Sequence, residues 1–403
     1  MSQTSGAAPH DSAATADSAN AVRPAPRARR SSRRQRTLAA RTVRRRRPTP
    51  PVVSDAGPVV GGVRVCAGGD VTLGTNLDTT WAATVARRLG RAVPALPVPQ
   101  RALAPLAPLL RDADVVLLNV EGAIGDESPV PSKCGPNEKG CFALRQPPAT
   151  AAALRGVARS AEVVGNVANN HSRDAGLDAL RRTTEHLGAA GVHVTGLDTL
   201  ATPVRTARGD TVAFLGFSTS APPDARDIGT VRRHVARAAA RYRRVVVTAH
   251  MGAEGAAAQR TRDTVERYFG EHRGNPVAFA DAAVAGGAAL VVLHGPHVLR
   301  ALEWRGGQLV AYSLGNLVTY GPFSFREPMV RGAVLCASLD ANGHARRPAL
   351  HATRQRRPGI VAPDGSGRAY ALADSLGRLD FPGTAARVTR AGAVLKPRPT
   401  RTR

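Results

Sequence analysis

"AEVVGNVANNHSRDAGLDAL", residues 161–180, carries the first decision about the fold. Val163, Val164 and Val167 give its first half the β-branched enrichment of a buried strand, and Ala175, Leu177, Ala179 and Leu180 fit a helix that starts near Asp174. Between the two stand Asn169, Asn170 and His171, so the polar triplet lies on a strand-to-helix turn. In open α/β sheets the carboxyl ends of strands carry ligand sites, because their loops point into a common crevice while the sheet holds them rigid. An Asx-type turn that caps the helix and leaves His171 exposed explains the triplet equally well when it is taken alone. Partners elsewhere in the chain must decide.

The same arrangement recurs. Apolar runs end in Asp70 ("GVRVCAGGD"), in Asn119 and Glu121 ("DVVLLNVEG"), in His250 ("RRVVVTAH"), in His294 and His297 ("LVVLHGPH") and in Asn316 ("QLVAYSLGN"). Helical stretches are expected near 174–190, 230–241 and 276–286, and "TVAFLGFS" and "RGAVLCASL" read as further strands. The alternation of strand and helix argues for an α/β domain with a largely buried sheet. If the strands lie in register, their polar ends converge on one edge. Carboxylate, amide and imidazole donors without a thiolate suit one or two divalent cations such as Mn, Zn, Fe or Mg. Such a centre lowers the pKa of bound water and polarises a phosphoryl or acyl oxygen. An unligated histidine beside such a centre can protonate a leaving group; His171 is the candidate, and Asn170 is a weakly basic ligand whose role is mainly geometric.

The formal net charge of the 403 residues is +26, and it is unevenly distributed. Residues 1–50 hold 12 Arg against 2 Asp, and residues 341–403 hold 13 basic against 3 acidic residues. Residues 1–60, rich in Arg, Pro and Ala, have little apolar periodicity and are expected to be disordered; 61–340 form the domain; 341–403 are expected to be a basic extension ordered at most in part. The basic segments suit a polyanion in general, and no specific nucleic-acid motif accompanies them. No run approaches the ~20 apolar residues of a membrane span, and no secretory signal is read at the start. Cys66 and Cys336 sit in apolar strand-like runs, whereas Cys134 and Cys141 flank the polar turn "CGPNEKGC". A disulfide between Cys134 and Cys141 is expected, and with it an extracytoplasmic location despite the absent signal.

"GGDVTLG", "LNVEGAI", "VANNHSRDAG", "TAHMGAE", "LHGPHVL" and "YSLGNLV", in this order across roughly residues 62–337, resemble the bacterial capsule-synthesis CapA family, linked to poly-γ-glutamate production. That family looks like a branch of the calcineurin-like metallophosphatases, and the resemblance implies a four-layer α/β/β/α sandwich. Carried over by motif, Asp70, Glu121, Asn170, His250 and His297 are the expected metal ligands and His171 a catalytic group. His294 is carried over as a catalytic group, but many members read His-Pro-His where this chain has His294-Gly295-Pro296-His297, so a ligand, a supporting residue or neither stays open for it. Metallophosphatases of the calcineurin type carry a histidine two residues after the first aspartate; Thr72 stands there, which puts a full two-metal site in doubt. Asn119 and Asn169 are expected near the substrate or behind the ligands. Glu254 is expected either to orient His250 or to be a solvated helix-start carboxylate. Ser313 and Asn316 either hold a substrate oxyanion or close the "SLGN" turn. The expected function is a metal-dependent hydrolase acting on an anionic polymer such as poly-γ-glutamate, or on a phosphorylated small molecule, within a capsule-synthesis complex. The alternative is a non-catalytic accessory protein that binds the polyanion and retains the fold.

Overall fold

Along the buried strands, consecutive side chains enter different cores, and this period of two on doubly covered sheets sets the architecture. The computed structural model describes residues 61–73, 99–125, 142–320 and 326–397. In chain order the strands are β1 (Val63–Leu73), β2 (Val115–Val120), β3 (Ala123–Ile124), β4 (Arg145–Gln146), β5 (Glu162–Asn166), β6 (Val192–Thr195), β7 (Thr202–Arg205), β8 (Thr211–Ser218), β9 (Val245–His250), β10 (Arg267–Tyr268), β11 (Glu271–His272), β12 (Leu290–His294), β13 (Leu302–Arg305), β14 (Gln308–Ala311), β15 (Asn316–Tyr320), β16 (Arg331–Leu339), β17 (Ala345–Arg356), β18 (Ile360–Pro363), β19 (Arg387–Val388) and β20 (Val394–Leu395).

Two sheets dominate. The first runs β18-β17-β16-β1-β2-β5-β6, with β15 beside the far end of β1. The second runs β13-β14-β12-β9-β8-β7. Val65, Leu117 and Val164 of the first sheet share one core with Phe214, Val246, Val292 and Leu309 of the second. Their chain neighbours point the other way. Val116, Leu118 and Val163 pack on Leu103, Leu106, Leu154 and Leu187 outside the first sheet. Val245, Val247 and Val291 pack on Val231, Val235 and Phe279 outside the second. The result is the four-layer α/β/β/α sandwich of the calcineurin-like fold.

Several local expectations shift. The helix after the polar triplet is Leu177–Ala189, preceded by Gly176 at φ 88°, so Asp174 belongs to the turn and does not cap the helix. Strand β1 continues past Asp70 to Leu73, with register irregularities around Asp70 against both β2 and β15. Gly69 permits this: a Cβ there would lie 1.8 Å from the Gly315 carbonyl oxygen, and the same carbonyl accepts from the Asp70 amide at 3.1 Å. Residues 341–397, expected as a partly ordered extension, are built into the fold. Strand β17 pairs along β16, and Ala369 and Ala373 of the helix Arg368–Asp380 enter the core between the sheets. Charge density does not preclude a strand here: Arg346 and Arg347 are exposed, while Pro348, Leu350, Ala352, Thr353 and Gln355 between the basic positions are buried.

Cys66 and Cys336, cross-strand partners on β1 and β16, form a disulfide with Cα atoms 4.0 Å apart. The expected partners Cys134 and Cys141 lie outside the described residues, as does the segment 1–60.

Candidate metal centre

The second sheet delivers its polar residues at the carboxyl ends of parallel strands, whereas the first places Asp70 at a register irregularity within β1, beside Asn119 near the end of β2 and Asn316 at the start of β15. On the first sheet Asp70 lies level with Asn119 on one side and Asn316 on the other, and Glu121 follows β2 directly. On the second sheet His250 and His294 are register partners at the ends of β9 and β12. His297 follows in a tight turn that holds it at φ 59°, a left-handed conformation that costs a branched or bulky residue on the order of 1–3 kcal/mol and is sustained by surrounding contacts. The two edges meet, and one ligand atom each from Asp70, Glu121, His250 and His297 lies within 4.8 Å of all the others.

The distances describe a tight charged knot. His297 Nδ1 is 3.1 Å from Asp70 Oδ2 and 2.9 Å from Asn316 Oδ1. His250 Nε2 is 3.3 Å and His297 Nε2 is 3.6 Å from Glu121 Oε1. His294 Nδ1 is 3.8 Å from Asp70 Oδ1. All six residues are buried. Among the described residues, neither oxygen of Glu121 and neither ring nitrogen of His250 or His294 has a hydrogen bond of acceptable geometry. A buried carboxylate left so costs about several kcal/mol, and a divalent cation removes that cost. Two carboxylates and imidazoles, with no thiolate, are donors for a hard or borderline ion. The cluster can therefore coordinate a divalent metal.

Electrostatics follow from the geometry. Burial alone raises the Asp70 carboxyl, but the hydrogen bond and charge of His297, with the charges of His250 and His294, hold it well below the usual carboxylate range. Burial likewise raises Glu121, and the charge of His297 with the contact to His250 outweighs burial and the repulsion of Asp70, so it too is lowered. Burial pulls His297 down, yet Glu121 and Asp70 lift it to about 10. For His294 burial wins, and its pKa falls to about 4.

Behind the ligands runs a chain of amides. Asn119 Nδ2 donates to Asp70 Oδ1 at 2.9 Å, and Asn119 Oδ1 accepts from Asn166 at 3.0 Å and from Asn169 at 3.3 Å. Asn169 also donates to the Val120 carbonyl at 2.8 Å and accepts from the His171 amide at 3.0 Å. Asn119 and Asn169 therefore fix Asp70 and the turn. His171 is 7% exposed, the most open of the histidines here, with Nε2 4.0 Å from Glu121 Oε1. Its Nδ1 meets Asp174 Oδ2 at 2.6 Å. A carboxylate only accepts, so Nδ1 carries the proton and Nε2 is left to face the centre.

Asn170 stands half-buried at the same turn with its amide oxygen shielded from solvent. Ser313 closes the "SLGN" turn, its Oγ accepting from the Gly315 amide at 3.1 Å, whereas Asn316 holds His297. Glu254 departs from both expected roles: Oε2 lies 3.7 Å from His297 Nε2, and Oε1 lies 2.5 Å from Arg273 Nη2. Thr72, where a histidine ligand was wanting, donates to the Glu121 carbonyl at 3.0 Å. Asp174, Asn166 and Arg273 were not anticipated. Asp174, three residues after His171, offered a signal that a capping role obscured; Arg273 offered none, because only the chain's return along β10 and β11 brings it to Glu254.

Residues 64–320 match the model of the family described as bacterial capsule synthesis protein PGA_cap. No curated protein matches the sequence. Among solved structures the chain is similar to GAP50 of Plasmodium, described as the anchor in the inner membrane complex, with a TM-score of 0.38 and 9% identity over 78% of this chain and 96% of that chain.

Proposed function

The chain belongs to the bacterial capsule synthesis protein PGA_cap family, and from that premise we propose that it is a metal-dependent hydrolase acting on an anionic capsular polymer such as poly-γ-glutamate. The observation that carries the reading is the buried Asp70, Glu121, His250 and His297 cluster with its unsatisfied donor atoms. These four, with Asn170 and neutral His294, would hold the ion. A divalent cation in such a site supplies Lewis acidity toward a phosphoryl or acyl oxygen and acidifies water. Around it, Asn119 and Asn316 orient Asp70 and His297, and Glu254, paired with Arg273, adds a carboxylate beside His297. His171, its Nδ1 proton held by Asp174, presents Nε2 at the rim of the site, where it would first take up a proton from solvent and then, as the imidazolium, give that proton to the leaving group and return to the neutral ring. One ion, of the Mn, Zn, Fe or Mg group, fits better than two, since Thr72 spends its hydroxyl on a backbone carbonyl.

The Cys66–Cys336 disulfide supports an extracytoplasmic place of action, where such a polymer accumulates. Among the described residues no helix is long and apolar enough to cross a membrane. The second reading, a polymer-binding accessory without turnover, is favoured by Thr72 alone. The test is metal analysis and polymer cleavage on the same preparation. About one equivalent of metal per chain and metal-dependent shortening of poly-γ-glutamate are expected, with both lost in Asp70→Ala. Less than about 0.2 equivalents after exposure to Mn²⁺ and Zn²⁺ would refute a metalloenzyme of this design. Full metal without cleavage of the polymer or of a phosphoester panel would leave the accessory reading.

A further inference from the structure

The helix Ile228–Arg241 is laid on the outer face of the second sheet by Val231, Val235 and Ala238. Its opposite face is unusual. Arg232, Arg233, Arg237 and Arg241 are exposed there, and Arg243 is exposed just beyond its end. Among the described residues, no carboxylate comes within ion-pair distance of any of the five; Arg233 donates to the Thr230 hydroxyl and Arg241 lies over the Tyr242 ring. The one acidic side chain at this helix, Asp227, is its N-cap and accepts from the Thr230 amide and hydroxyl. Burial and then Arg237 and Arg233 lower the pKa of His234, and Asp227 opposes them only in part.

Positions 233, 237 and 241 follow one another at intervals of four, so their guanidinium groups form one row about 12 Å long. The direction of the row is fixed by topology. Strands β8 and β9 are parallel, with Ser218 level with His250, so the helix joining them runs back along the sheet. Arg233 therefore lies toward the edge that carries the metal cluster and Arg241 away from it. The exposed residues between the arginines are Ala236 and Ala240. They offer no ring to stack on a base and no apolar side chain to enter a bilayer. A single row matches one extended anionic strand and not the two phosphate rows of a duplex.

We propose that the arginine row on the helix Ile228–Arg241 is a docking rail for a linear polycarboxylate chain, leading it toward the metal-site edge. The proposal rests on the polymer reading of the function but names a separate surface, so the two fail separately. The test uses the full chain and fluorescent poly-γ-glutamate, with a single-stranded DNA of similar charge and phosphatidylserine vesicles as rival probes. Arg233→Gln/Arg237→Gln/Arg241→Gln is compared with Arg44→Gln/Arg45→Gln/Arg46→Gln, which removes the same charge from the N-terminal segment. The rail variant is expected to bind the polymer about tenfold more weakly at moderate salt, with a shallower dependence of affinity on salt, and the N-terminal variant about twofold more weakly or less. Equal losses in both variants, or an unchanged rail variant, overturn the proposal. So does a rail variant that loses DNA or vesicle binding while keeping polymer binding. Metal content should be the same in all three proteins. A wild-type protein that holds metal and binds polymer through the rail but cleaves neither the polymer nor a phosphoester would count against the hydrolase and leave the rail standing.

Discussion

Metal uptake should expel a proton from His297. In the metal-free protein Asp70 Oδ2 at 3.1 Å and Glu121 Oε1 at 3.6 Å hold this imidazole protonated, with a pKa of about 10. A ligating imidazole must be neutral, so a cation has to displace that proton. At pH 7.5 the gap of about 2.5 units corresponds to ~3.4 kcal/mol, at 1.36 kcal/mol per unit. Apparent affinity is therefore expected to strengthen about tenfold per pH unit from pH 7 toward 9. His294, lowered to about 4, is already neutral there, and Asp70 and Glu121 are already ionised, so none of the three adds a proton. Calorimetric titration with Mn²⁺ at pH 7.5, in buffers of different ionisation enthalpy, should find about one more proton released by the wild type than by His297→Asn. Equal proton release in the two proteins, or an affinity flat between pH 7 and 9, would refute the assignment of the proton to His297.

The same ion pair sets the pH dependence of the metal-free fold. A histidine raised from about 6.5 to about 10 stabilises fully below pH 6.5 and loses that contribution as pH rises through 10, so the melting temperature of chelator-treated protein should fall across this window and flatten with saturating Mn²⁺. His171→Ala should lower turnover by about 10²–10⁴ with metal content intact, and Asp174→Asn should reproduce part of the loss by releasing the ring, whereas activity within threefold of wild type for His171→Ala removes it from the mechanism. Cys66→Ala/Cys336→Ala should cost about 2–5 kcal/mol in denaturant unfolding, because the bridge joins residues 270 apart in sequence; stability unchanged within about 0.5 kcal/mol would show the bridge to be inconsequential.

The sequence by itself determined the elements and the kind of chemistry. Period-two runs through Val115–Val120, Val245–His250 and Leu290–His294 encode doubly buried strands, and a polar residue at the end of such a run has few places to go except the sheet's carboxyl edge. That is why Asp70, Glu121, His250 and His297 were legible together, each from its own local signal. Only the tertiary structure decided who faces whom. Glu254 turned to His297 and Arg273 because the loop between β9 and the next helix folds back, and no local spacing records that return. Cys66 met Cys336 because β16, distant in the chain, pairs with β1 in one register, whereas Cys134 and Cys141 suggest a pairing by their nearness in sequence alone. The basic C-terminal segment became β17 because its alternate residues cover a sheet that exists only once β1 and β16 have paired. Local propensity is written residue by residue, but register, partner sheet and the proton on His297 arise from contacts between segments far apart in the chain.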